Sequence, residues 1–202
     1  MPKNKDTLKV TPVDSCCRVE NLTEEPIDGD CVFHCTAYTS DHIQGYFVPY
    51  FDYLADRQMG MFGYLAVATS SLVVCGNEVL VGKRSELGTH CPEFFELVPS
   101  AGIDRHVDNT EQLLTELVQN TGIDKSAVKD IRPIALIEDT EESTLDICVV
   151  IELNEKPVKL APKEAYSQMG WLSIEEFNQL KAHAKVVPTS KALFEYWLGV
   201  HV

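Results

Sequence analysis

Apolar and polar residues alternate from Cys31 to Tyr38, with Cys31, Phe33, Cys35 and Ala37 on one side and Val32, His34, Thr36 and Tyr38 on the other, which predicts a strand. Leu8 to Val13 reads as another strand ending near Pro12, and Ser15 to Asp30 is turn-rich, punctuated by Pro26 and Asp28-Gly29-Asp30. The stretch from Phe47 to Met59, with Tyr46 at its edge, gathers Phe47, Tyr50, Phe51, Tyr53 and Leu54 and is expected to form a short helix after Pro49. An aromatic stripe of this kind belongs to a core or an interface more often than to a base-stacking platform. From Tyr64 the pattern turns sheet-like: Leu65 to Cys75 and Val79 to Lys83 are β-rich runs joined at Gly76-Asn77, a strong hairpin signal. Phe94 to Val98 is a further strand, and Ile131 to Ile137 and Leu145 to Leu153 bracket the acidic run Glu138-Asp139-Thr140-Glu141-Glu142.

A helical period takes over between these strands. Leu113, Leu114, Leu117 and Val118 fall on one arc of a wheel, and Gln112, Glu116, Gln119 and Asn120 fall opposite, so one face is expected buried and the other polar. Asn109 followed by Gln112 suits a helix start and Gly122 a C-terminal stop. Farther on, Ser173 and Glu176 form a capping box after Gly170-Trp171-Leu172. Residues 189–199 make a last amphipathic helix capped by Thr189, with Leu193, Phe194, Trp197 and Leu198 apolar.

At 202 residues and 45% hydrophobic content, the chain can bury one domain of roughly 130–150 residues plus an extension. The composition shift at Gly60 to Gly63 divides it into an N-terminal extension of strands and an aromatic helix (1–62), a main domain (63–185) and a C-terminal helix (186–202). The extension is expected to dock on the main domain or to build a homodimer interface. A net charge of −14 argues against non-specific nucleic-acid binding and against anionic membrane surfaces. No apolar run reaches the length of about 18 residues that a membrane span needs, and Met1-Pro-Lys-Asn-Lys-Asp lacks the apolar core of a signal peptide, so a cytoplasmic location is expected. The seven cysteines, at 16, 17, 31, 35, 75, 91 and 148, then read as free thiols. Alternation sets His34 on the opposite face from Cys31 and Cys35, against a shared zinc ion.

Residues 101–123 resemble the signature of the Nudix superfamily, in which a Gly-rich loop leads into a helix reading Arg-Glu-Leu-x-Glu-Glu-x-Gly-Leu/Ile/Val. Anchored on Gly122-Ile123, Glu116, Leu117, Gly122 and Ile123 match, while Thr115 replaces Arg, and Gln119 and Asn120 replace two metal-binding Glu residues. Val107 stands at the loop Glu position, which Asp108 fills if the register is anchored on Gly102 with a one-residue deletion. The hairpin ending in Gly82-Lys83-Arg84-Ser85, the turn Pro99-Ser100-Ala101-Gly102 and the Trp171-Leu172 strand end before a helix extend the resemblance over roughly residues 63–185. It implies an α/β (α+β) fold, a mixed β-sheet sandwiched between helices, here with an N-terminal β-rich extension. It also implies pyrophosphohydrolase chemistry on a nucleotide-type small molecule, a nucleoside diphosphate derivative, with Mg²⁺ or Mn²⁺ held by the helix.

Hard cations take several oxygen ligands and reward negative charge, so neutral Gln119 and Asn120 keep oxygen donors but remove two charges. Glu116 is left as the main metal ligand and catalytic residue, with Gln119 and Asn120 as weak ligands. Arg84 is expected either to reach a substrate phosphate or to be a solvated strand end, and Glu96, on the strand before the signature, to join the substrate site, supplement the metal or stand as a surface charge. The acidic run Glu138 to Glu142 is expected to be a solvated turn, with a displaced catalytic carboxylate as the alternative. His90, Cys91 and His106 read as ordinary loop residues. Two functions follow: a divergent metal-dependent hydrolase with impaired catalysis, or a catalytically inactive binding or regulatory module on the same fold.

Overall fold

Ala66–Cys75 is almost wholly buried, as its nearly continuous apolar run requires of a strand covered on both faces. The structure, a computed structural model, describes residues 7–15, 17–23, 29–61, 63–87, 90–103, 108–157, 159–162 and 164–201. Its elements are β1 (Leu8–Pro12), β2 (Arg18–Asn21), β3 (Cys31–Tyr38), β4 (His42–Pro49), α1 (Tyr50–Gln58), β5 (Ala66–Cys75), β6 (Glu78–Arg84), β7 (Phe95–Leu97), β8 (Ser100–Gly102) and α2 (Asn109–Thr121). A 3-10 turn at Lys125–Ala127 leads to β9 (Val128–Asp139), β10 (Thr144–Leu153), β11 (Tyr166–Ser173), α3 (Ile174–His183) and α4 (Pro188–His201).

The strands join in one mixed sheet ordered β1-β9-β10-β5-β3-β4-β2, with β6 and β8 also on β5, and β7 and β11 on β6. β10 runs parallel to β5 and β2 parallel to β4; the other pairs are antiparallel. Two cores lie on its faces. Leu145, Ile147, Val149 and Ile151 of β10 pack in a cluster with Leu113 and Leu117 of α2 and with Phe33, Ile43 and Phe47. Cys148 and Val150 point the other way, into a cluster with Phe177 of α3 and Leu193, Phe194 and Trp197 of α4. The fold is therefore the expected α+β one, with the sheet sandwiched between helices. Among the described residues no helix is long and apolar enough to cross a membrane.

Several local expectations are corrected. Residues 15–30, expected to be turns, include β2; the aromatic helix forms after Pro49 as read, while Tyr46 and Phe47 of the same cluster lie on β4 before it. β2 is short and polar and exists through its pairing with β4, which local pattern cannot show. Ser100–Gly102 is not a free turn but a strand on β5, with Thr69 opposite Ala101. Asp108, not Asn109, caps α2, accepting from the N–H groups of Thr110 and Glu111. The helix is also rolled relative to the expected wheel: Gln112 is buried and Val118 is 37% exposed. Gln112 donates its amide to the Gly102 carbonyl, a partner that lets a polar side chain sit inward. α4 begins at Pro188, one residue before the expected Thr189 cap, because proline is preorganised for the first helical position. The Ser173–Glu176 capping box and the Gly76-Asn77 hairpin turn form as read.

Gly45 marks where the β3–β4 pair tightens. β3 shifts register between Cys35 and Ala37 opposite this residue, and a Cβ on Gly45 would collide with the His34 carbonyl oxygen and stand 2.8 Å from the Phe33 ring. Backbone cannot yield as a flexible side chain can. Gly45→Ala is expected to cost about 1–3 kcal/mol in urea unfolding, as overpacking does; a variant as stable as the parent would refute this account of the bulge.

Candidate functional site

Small residues on alternate positions of β5 leave a hollow on the α4 face of the sheet. Ala66, Ala68 and Ser70 line its floor beside Asp146 of β10, and Ser100, Ala101 and Gly102 of β8 border it. Tyr50, Tyr53, Leu54 and Arg57 of α1, and Pro188 and Thr189 at the start of α4, complete a cavity of about 560 Å³. That volume suits a small-molecule site.

Charged groups enter the cavity from strand ends. Glu96 of β7 is 3% exposed, and its Oε2 accepts from Arg84 Nη1 at 3.1 Å and from the Ser100 hydroxyl at 3.2 Å. Burial pushes the Glu96 carboxyl up despite the Arg84 guanidinium beside it. Burial, with Glu96 as neighbour and hydrogen-bond partner, also raises the Tyr166 phenol well above its ordinary range. Asp146 accepts from Ser70 Oγ at 2.6 Å, and burial, aided by the charges of Glu96 and Asp139, raises it to about 6. Asp139 is 2% exposed and its Oδ1 accepts from the N–H groups of Glu141 and Glu142 at 3.0 and 3.1 Å. Arg57 pairs with Glu142 at 3.7 Å, donates to the Ser143 carbonyl at 3.3 Å and lies over the Tyr53 ring. His90 also lines the cavity, and burial, then the nearby Arg84 charge, lowers its pKa.

The α2 residues lie elsewhere. Glu116 is half-buried, its carboxyl raised by desolvation, and its Oε2 accepts the Asn120 amide. Gln119 is exposed. Thr115 turns back to the Glu111 carbonyl at 2.9 Å and receives Lys125 Nζ at 3.4 Å. Asn120 borders a shallow groove with Pro162, Glu164 and Ala165, and the Ala161 N–H closes on the Thr121 carbonyl at 2.8 Å. Gly122 ends the helix in the left-handed conformation, φ 77°.

Of the residues singled out from sequence, Arg84 and Glu96 thus meet in the cavity, whereas Glu116, Gln119 and Asn120 do not line it. The two regions touch through β8, where Gly102 borders the cavity and accepts the Gln112 amide. Val107 and His106 fall outside the described residues. The acidic run proves less solvated than expected, since Asp139 is buried and Glu142 lines the cavity. Sequence reading passed over Asp146 and Ser70; the available signal was a lone charge inside the apolar run Leu145-Asp146-Ile147. Among the described residues no three His, Cys, Asp or Glu side chains are grouped to hold a metal ion.

No family profile matches the sequence, and no curated protein does. Solved structures do match. DR0079 from Deinococcus radiodurans aligns with TM-score 0.60 at 13% identity, over 83% of this chain and 99% of that one. The MutT protein from Methanosarcina mazei aligns with TM-score 0.51 at 19% identity, over 64% of this chain and 89% of that one. A MutT Nudix hydrolase from Burkholderia pseudomallei aligns with TM-score 0.50 at 12% identity, over 64% of this chain and 95% of that one. At such identities the likeness concerns backbone alone, and with the hairpin β5–β6, helix α2, strands β9 and β10 and the β11–α3 corner in order, the chain has the Nudix fold.

Proposed function

We propose that this chain is a Nudix-fold protein for a nucleoside diphosphate derivative, with metal-dependent hydrolysis impaired. One observation carries the reading: of the three α2 positions aligned with metal-binding glutamates, only Glu116 is a carboxylate, and the Asn120 amide already donates to it. Burial favours the neutral acid at Glu116, and Lys125 brings positive charge to the neighbouring Thr115. This donor set is a poor fit for Mg²⁺ or Mn²⁺, which reward several anionic oxygens, so it would hold either ion weakly. Glu116 is the residual catalytic and metal-binding group, with Gln119 and Asn120 as neutral oxygen donors. In the cavity, Glu96 holds Arg84 so that its remaining N–H donors can take an anionic oxygen of the ligand. The alternative, an inactive binding module, is favoured by that cavity, whose charged lining is present while the helix charge is missing.

Assays on nucleoside diphosphate sugars, dinucleoside polyphosphates and dinucleotide cofactors with Mg²⁺ or Mn²⁺ test this. The parent should turn over far below the roughly 1–10³ s⁻¹ of ordinary enzymes. Gln119→Glu with Asn120→Glu should tighten metal binding, read by calorimetry or a metal-dependent rise in Tm. Ordinary turnover by the parent, abolished by Glu116→Gln, would show that catalysis is intact.

A further inference from the structure

The cavity carries more negative charge than its cations balance. Four carboxylates line it, Glu96, Asp139, Glu142 and Asp146, against two guanidinium groups. Arg84 opposes Glu96 and Arg57 opposes Glu142. Among the described residues neither Asp139 nor Asp146 forms an ion pair, although the Arg84 charge reaches Asp146, and burial lowers the pKa of His90, which disfavours its cationic form. Each aspartate also has an oxygen to spare. Asp146 Oδ1 is held by Ser70, and Asp139 Oδ1 by two backbone N–H groups, whereas among the described residues neither Oδ2 receives a hydrogen bond. These side chains are 6% and 2% exposed, and both line the cavity. Neither Oδ2 is among the fully buried atoms left without a partner, so both open onto the cavity, where an arriving donor can pair with them.

We propose that this cavity binds a planar organic cation of the amidinium or guanidinium class, with Asp146 and Asp139 as its acceptors. Register sets the spacing. Thr144 lies opposite Asp139 in the antiparallel β9–β10 pair, so Asp146 is its diagonal neighbour on the same face, at roughly 7–8 Å between Cα atoms. Divergent N–H donors of a planar cation can span such a gap. A bare divalent ion instead draws its oxygens to about 2.0–2.6 Å. The walls argue in the same direction: Tyr50, Tyr53, Leu54 and Val67 give aromatic and aliphatic surface. A delocalised, weakly hydrated cation tolerates that surface better than a strongly hydrated ammonium, and ring faces attract it. The cation would share its cavity with Arg84, to which the proposed function gives an anionic oxygen of the ligand, but its acceptors are Asp139 and Asp146, and its test does not depend on turnover at α2.

Benzamidine and its neutral analogue benzamide separate charge from shape. Calorimetry on the full chain should show benzamidine binding at least about tenfold more tightly than benzamide, and Asp146→Asn should weaken benzamidine by a similar factor. Amide chemical-shift changes on adding benzamidine to the unaltered protein should centre on Ala68, Ser70 and Asp146, a readout that needs no variant. Equal binding of the two compounds, unchanged affinity in Asp146→Asn, or shifts centred away from β5 and β10 would each overturn the proposal. So would displacement of benzamidine by Mg²⁺ alone through Asp146, which would make this a divalent-cation site.

Discussion

Asp146→Asn should stabilise the protein at pH 7 by up to about 3 kcal/mol, and the gain should vanish in acid. Burial raises the Asp146 carboxyl from 3.8 to about 6, so folding at neutral pH must hold a charge in a place that favours the neutral acid. At about 1.36 kcal/mol per pKa unit, the interval corresponds to roughly 3 kcal/mol. The sign follows from proton binding: between about pH 4 and 6 the folded state holds more protons at this residue than the unfolded one, so its contribution to stability falls as pH rises. The penalty is full above pH 6 and absent below the unfolded value of 3.8. Asparagine removes the charge and keeps a carbonyl oxygen for the Ser70 hydroxyl. Urea unfolding of both proteins at pH 7.5 and pH 3.5 measures it, and a variant no more stable than the parent at pH 7.5 would contradict the assigned environment. Stability gained with loss of the acceptor for a cation is what a functional charge predicts.

Phe194→Ala is expected to cost about 3–5 kcal/mol. The ring is fully buried, 4.6 Å between centroids from Phe177 in an edge contact and 6.0 Å from Trp197, with Lys181 Nζ 4.8 Å above it. It therefore holds α3 and α4 to each other and to the sheet. Small domains have only about 5–15 kcal/mol in total. Because Pro188 and Thr189 at the start of α4 wall the cavity, the same change should also loosen ligand binding there. A loss below about 1 kcal/mol in urea unfolding would mean that α4 is not packed as described.

Much of the frame was legible along the chain. The hairpin at Gly76-Asn77, the amphipathic α2 with its stop at Gly122, the paired strands β9 and β10, and the capping box at Ser173 each rest on residues close in sequence. Local rules suffice there because turn geometry, caps and helical period are satisfied within a few residues. Arg84 and Glu96, singled out one by one, sit on strands that pair with each other, which brings them together.

Local pattern does not decide what a side chain faces once distant strands are aligned. Ser70 and Asp146 are 76 residues apart in sequence and meet because β5 and β10 run parallel in a fixed register. Asp139, read as part of a solvated acidic turn, is buried because β9 carries it to the sheet face that α1 and α4 enclose. The roll of α2 follows likewise from Gln112 finding the Gly102 carbonyl on β8. The amino-acid order by itself determined most of the succession of strands and helices, though not β2 or β8, together with the missing charge at Gln119 and Asn120 and the glycines that end helix and hairpin. Tertiary structure alone decided which carboxylates lost their water and which gained a cation, because burial and pairing depend on contacts between segments far apart in the chain.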